Sequence, residues 1–189
     1  MNLPISQLPE ITTGLTANAE FAVAQGGTTY KVKSGNLSYG KPYLSAYHIP
    51  TQSGFTANTA YSMSASTVSE SYNISVVDGC KFTVASGGTY NLQFSAQLLK
   101  TQGGSSADFD IWLSKNGVDV PYSNTNTSVN SNNEFLVAAW NFVISLNAGD
   151  YLELRFAATS EYYIIYGEGV RSNPTRPAIP SVIVTMVQV

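Results

Sequence analysis

Apolar and polar residues alternate with period two along much of this chain, and that alternation predicts strands. In "YNLQFSAQL", Tyr90, Leu92, Phe94, Ala96 and Leu98 share one face, and Asn91, Gln93, Ser95 and Gln97 share the other. "DFDIWL" puts Phe109, Ile111 and Leu113 on one side. "YLELRF" sends Leu152, Leu154 and Phe156 inward and Tyr151, Glu153 and Arg155 outward. Each reads as a half-buried strand of a sheet with one wet face. Turn residues separate them: Asp78-Gly79, "SGG" at 86–88, "GGSS" at 103–106, "KNG" at 115–117 and "NAGD" at 147–150. "SNTNTSVNSNN" (123–133) reads as a polar loop projecting from one end of the fold. The helical spacing i, i+3, i+4, i+7 is nearly absent. Short strands at this spacing predict an all-β sandwich or jelly roll.

Two segments are apolar on both faces. In "FLVAAWNFVISL" (135–146), Leu136, Ala138, Trp140, Phe142, Ile144 and Leu146 oppose Phe135, Val137, Ala139 and Val143. In "SVIVTMVQV" (181–189), Val182, Val184 and Met186 oppose Ile183, Val187 and Val189. A strand apolar on both faces needs covering on both. No helix is predicted to do it, which leaves a second sheet layer or another subunit. Phe135, Val137, Val143, Ile183, Val187 and Val189 are the candidate subunit-interface residues. Period two alone leaves open which face is core and which is interface.

The first forty residues read differently. Leu3-Pro4 and Leu8-Pro9 predict an extended arm, because proline fixes φ and removes a donor. Glu20–Gln25 and Thr28–Lys33 around Gly26-Gly27 predict a small β-hairpin, and 34–42 a linker. The expected division is 1–40, an attachment arm and hairpin, and 41–189, a sandwich. A lone hairpin is marginal in water, so the first unit should be stable only against a partner.

Composition narrows the function. Charged residues make up 11% of the 189 positions, against a usual share of about 25%. The surface is therefore built from uncharged polar and aromatic side chains, which suits large assemblies and contacts insensitive to salt. With nine scattered basic residues and a net charge of −3, no nucleic-acid grip is expected. No apolar run approaches the ~20 residues of a membrane span. The N-terminus shows no secretory signal pattern, and Cys80 is the single cysteine, which excludes an internal disulfide. Cytosolic production is expected.

No site chemistry assembles. His48 is the only histidine and has no nucleophile elbow to serve. Cys80 reads as a small buried hydrophobe. Asp108 and Asp110 point to one strand face, and paired carboxylates serve both glycosidases and calcium sites, but no partner acid can be assigned. No metal or cofactor is expected. Tyr162, Tyr163 and Tyr166, in "EYYIIYGEG", are candidate glycan contacts, since exposed tyrosines stack on sugars.

Several motifs in fixed order resemble the tumour necrosis factor-like jelly roll shared with complement-type globular heads, and in particular its form in tailed-bacteriophage virion proteins. They are Gly88-Thr89-Tyr90 opening a long strand, Lys115-Asn116-Gly117 in a hairpin, Leu146 with Gly149-Asp150-Tyr151 between strands, and Arg176-Pro177-Ala178-Ile179-Pro180-Ser181 before the last strand. The resemblance spans 43–189. Separately, Phe21, Val23, Gln25, Gly26, Gly27, Thr29, Lys31 and Val32 resemble an N-terminal hairpin of phage fibre and head-decoration proteins. The resemblance implies a trimer whose N-terminal element docks on a major capsid protein or another virion protein. Leu3, Pro4, Ile5, Leu8, Pro9, Phe21, Val23, Tyr30 and Val32 are the implied docking residues. No coiled-coil or collagen-like shaft is present, which favours a short knob on the capsid surface over a long fibre. A short tail fibre or glycan-binding tip is the alternative, and a carbohydrate-active jelly-roll enzyme a remoter one.

Overall fold

The computed structural model describes residues 20–33, 40–103 and 106–189, and the chain divides into two compact units, Met1–Gly40 and Lys41–Val189. In the first unit, β1 (Glu20–Gln25) and β2 (Thr28–Lys33) form the antiparallel hairpin that the Gly-Gly pair predicts. Gly26 and Gly27 both adopt left-handed φ, +60° and +78°, which a two-residue turn of this twist requires. The register pairs Phe21 with Val32 and Val23 with Tyr30. Leu3, Pro4, Ile5, Leu8 and Pro9 lie outside the described residues, as does the arm.

The second unit is a two-sheet sandwich, and no helix occurs among its described residues. Its strands are β3 (Tyr43–His48), β4 (Tyr61–Ser62), β5 (Thr67–Tyr72), β6 (Ile74–Val77), β7 (Lys81–Val84), β8 (Gly88–Lys100) and β9 (Ala107–Lys115). They continue with β10 (Val118–Asp119), β11 (Thr125–Val129), β12 (Phe135–Leu146), β13 (Tyr151–Ala158), β14 (Tyr163–Ile165), β15 (Arg171–Ser172), β16 (Thr175–Arg176) and β17 (Val182–Gln188). One sheet has the order β12-β8-β17-β3-β5, with β14 also on β8. The other has the order β10-β9-β13-β7-β6, with β11 also on β9 and β4 on β13. All these pairings are antiparallel, and the chain crosses between the sheets repeatedly, as from β7 to β8, β8 to β9, β11 to β12 and β12 to β13.

The alternation read from sequence decides what lies between the sheets. Tyr90, Leu92, Phe94, Ala96 and Leu98 of β8 are buried against Phe109, Ile111 and Leu113 of β9 and Leu152, Leu154 and Phe156 of β13. Phe109 and Phe156 stack with ring centroids 5.2 Å apart. Burying a large apolar side chain contributes ~1.5–3 kcal/mol, so this core dominates the stability of the unit. On β17 the open question of facing is answered: Val182, Val184 and Met186 are core, and Ile183 and Val187 point out, as does Val189 just beyond the strand.

Two expectations need correction. The Asn-rich segment is not a loop throughout, because Thr125–Val129 forms β11 on the edge of β9. Its polar side chains hid the alternation, since they are satisfied by the neighbouring strand: Ser128 donates to Asp108, and Asn124 and Asn126 to Asp110. Glu153 does not face water. It is 6% exposed and accepts hydrogen bonds from Ser62 Oγ at 2.9 Å and Cys80 Sγ at 3.8 Å.

Two of the sequence motifs meet at one end of the sandwich. Asn116 and Gly117, both at positive φ, close the β9–β10 turn, and Gly149 at φ +86° closes the β12–β13 turn. Asp150 joins the turns. Its carboxylate accepts from Asn116 Nδ2 (2.8 Å) and the Asn147 amide (2.8 Å), and pairs with Lys115 Nζ (2.9 Å). These donors, Asn116 foremost, hold the Asp150 pKa down at about 2.

Candidate functional site

The outward face of the β12-β8-β17-β3-β5 sheet carries a series of exposed apolar side chains. One register row crosses the whole sheet: Val143, Asn91, Val187, Tyr43 and Tyr72 lie side by side. Val143 is 62% exposed, Val187 42% and Tyr43 43%, with Tyr43 and Tyr72 rings 6.3 Å apart. The neighbouring rows add Val137 and Ile183, also exposed, among Gln, Ser and Thr side chains. Among the paired positions on this face, Glu70 on the outer strand β5 is the one charged side chain. Two shallow depressions of about 210 and 280 Å³ flank β8, one toward Ile183 and Thr185, the other toward Ala139 and Asn141.

All six residues read as interface candidates, Phe135, Val137, Val143, Ile183, Val187 and Val189, lie exposed in the single chain. Five of them, Val189 apart, belong to β12 and β17 on this outward face. β12 adds a second peculiarity. It is an edge strand twelve residues long, paired only to β8. Even its core-directed Leu136, Trp140, Phe142 and Ile144 are only half covered. Trp140 and Phe142 lean on Phe94, with centroids 5.7 and 6.2 Å away. A long apolar edge strand invites pairing or aggregation unless something covers it.

The tyrosine cluster is not one surface. Tyr163 is fully buried: its hydroxyl donates to the Ala107 carbonyl and accepts from the Val129 amide at 3.2 Å. It is a core residue of β14, so it leaves the set of glycan candidates. Tyr162 is exposed, and Tyr166 packs edge-on to Phe135 at 5.2 Å while its hydroxyl donates to Glu168 at 2.5 Å. Arg171 and Tyr166 together hold the Glu168 carboxyl down at about 2. Period-two reading across "EYYII" would have separated Tyr163 from its neighbours.

The residues weighed for chemistry are dispersed. His48 Nδ1 lies 2.9 Å from Ser66 Oγ, and partial burial lowers its pKa. No carboxylate meets its ring among the described residues. The Cys80 thiol is pushed up by burial and then by Glu153. Asp108 and Asp110 are each tied to β11 side chains. No group of three or more His, Cys, Asp or Glu side chains able to hold a metal ion occurs among the described residues.

The architecture matches solved structures. Murine APRIL at pH 5.0 aligns with a TM-score of 0.50 and 11% identity, over 79% of this chain and all of that one. The fold is a jelly roll of the tumour necrosis factor and complement-head type. Murine APRIL at pH 8.5 aligns over the same 79% of this chain and 100% of that one (TM-score 0.48, 11% identity). The globular domain of zebrafish complement 1qA gives 0.47 and 15%, over 79% of this chain and 98% of that one. At such identities the likeness concerns the fold alone. No family model and no curated protein matches the sequence.

Proposed function

We propose that this chain is a non-enzymatic, homotrimeric structural protein of a virion, of the head-decoration type. The observation that carries the oligomer is the exposed apolar row on the outward sheet face, continuous with an edge strand that is apolar on both sides. Single exposed apolar residues need no explanation, but several on one sheet face, separated only by uncharged side chains such as Asn91, mark a protein contact. A second and third copy of the same chain supply the complementary uncharged surface, and closed symmetry covers the β12 edge of every copy alike.

In this reading the N-terminal unit is the attachment element. Phe21 and Tyr30, the latter 52% exposed, are candidate anchors on the hairpin, with a major capsid protein as partner. A protein that binds only the assembled shell stabilises it by linkage, and three attachment elements on one trimer add avidity. The location proposed is the outer capsid surface. Quantifying copies of the protein on purified particles, with antibody labelling, tests this. Many copies spread over the shell support decoration, and a few confined to the tail support the alternative of a short fibre or receptor-binding tip.

A further inference from the structure

We propose that the depression on the opposite sheet, between Trp112 on β9, the β10–β11 turn and Ala157 at the end of β13, binds a neutral saccharide. Its volume is about 370 Å³, within the roughly 300–1,000 Å³ of small-molecule sites. Trp112, Val120 and Ala157 give it an apolar lining, and Asp110, Asp119 and Asn124 a polar one. Tyr122 also lines it and is fully exposed.

The turn backbone, the indole and the Asp110 carboxylate are held in place. Tyr122 sits at φ +62°, a conformation that bulky residues rarely adopt. The turn carrying it is pinned by Ser123, itself 5% exposed, whose Oγ donates to the Val120 carbonyl (2.7 Å) and accepts from the Leu113 amide (3.0 Å). Trp112 Nε1 donates to Asp119 Oδ1 at 2.7 Å, which fixes the indole. Asp110 Oδ1 accepts from Asn124 and Asn126, both at 3.1 Å. Oδ2 of Asp110 and Oδ2 of Asp119 have no hydrogen-bond partner among the described residues, so each can accept from a ligand hydroxyl. Two aromatic side chains beside free carboxylate oxygens and an amide suit the C–H face and the hydroxyl edge of a pyranose. The two carboxylates repel sialic, uronic and phosphorylated sugars, so acidic saccharides are excluded.

This inference does not rest on the trimer: the site lies on the sheet opposite the apolar row. The chain has two tryptophans, so its ¹⁵N-labelled indole spectrum has two resonances, and Trp112→Phe assigns one. Full-length protein is titrated with glucose, galactose, mannose and N-acetylglucosamine oligomers, with sialyllactose and choline as charged comparators. The expected result is a saturable shift of the Trp112 indole with at least one neutral sugar, while the Trp140 signal stays put. Tyr122→Ser and Asp110→Asn are each expected to weaken binding at least tenfold. No response to any neutral sugar, preferential binding of a charged comparator, or unchanged affinity in both variants overturns the proposal. Light scattering on the same samples reports the oligomer separately.

Discussion

Replacing Val187 by aspartate separates an interface valine from a merely exposed one. Val187 is 42% exposed in the single chain, on the central register row of the apolar face. Complete burial of a valine side chain is worth ~1.5–3 kcal/mol, so covering the remaining two-fifths contributes about 1 kcal/mol per chain and about 3 per trimer. At 1.4 kcal/mol per decade, losing that alone weakens assembly by about two decades. The aspartate adds three carboxylates to the contact, each costing several kcal/mol to desolvate. Val187→Asp is therefore expected to sediment as a folded monomer at micromolar concentration, with a native near-ultraviolet circular dichroism spectrum. Val118→Asp is the control, since Val118 is 71% exposed but lies on β10, in the other sheet. Sedimentation velocity over a dilution series reads both variants. If Val187→Asp sediments like wild type, or Val118→Asp dissociates as readily, Val187 does not lie in a subunit contact.

Three other outcomes are expected. Tyr163→Phe strips the Ala107 carbonyl and the Val129 amide of their shared buried partner, at about 1–3 kcal/mol. At roughly 2–4 °C per kcal/mol for a domain this size, calorimetry should show a Tm lower by several degrees; no change would mean that water replaces the hydroxyl. Asp150 has a folded pKa of about 2, below the ordinary 3.8, so its contribution is full above pH 3.8 and is lost as pH falls through about 2. Asp150→Asn should therefore flatten the fall of Tm between those pH values, and an unchanged slope counts against the turn clasp. The Cys80 thiol, raised by burial and by Glu153, should react with iodoacetamide at pH 8 more slowly than a free thiol and speed up in Glu153→Gln; equal rates would contradict the contact.

Much of the fold was legible because side-chain period and burial coincide. β8, β9 and β13 carry large apolar residues at every second position, and all of these ended between the sheets. The hairpin was legible from Gly26-Gly27, since only glycine readily takes two successive positive φ values. What escaped were strands whose polar groups are satisfied by neighbours distant in sequence. β11 looks like a loop until Asp108 and Asp110 are seen to accept its Ser and Asn side chains, and Glu153 looks solvated until Ser62, far away in the chain, reaches it. β17 shows the limit from the other side, because its two apolar faces could be told apart only once β8 and β3 flanked it. The Trp112 site left one trace in the sequence, a tryptophan at an outward position beside Asp108 and Asp110 in "DFDIWL".

The proposed trimer requires that the apolar sheet face meet further copies of the same chain. Light scattering of the purified full-length protein across a dilution series measures this directly. The expected mass is three times the 20.2 kDa of one chain, persisting at low micromolar concentration. A monodisperse, soluble 20.2 kDa species under the same conditions would contradict it.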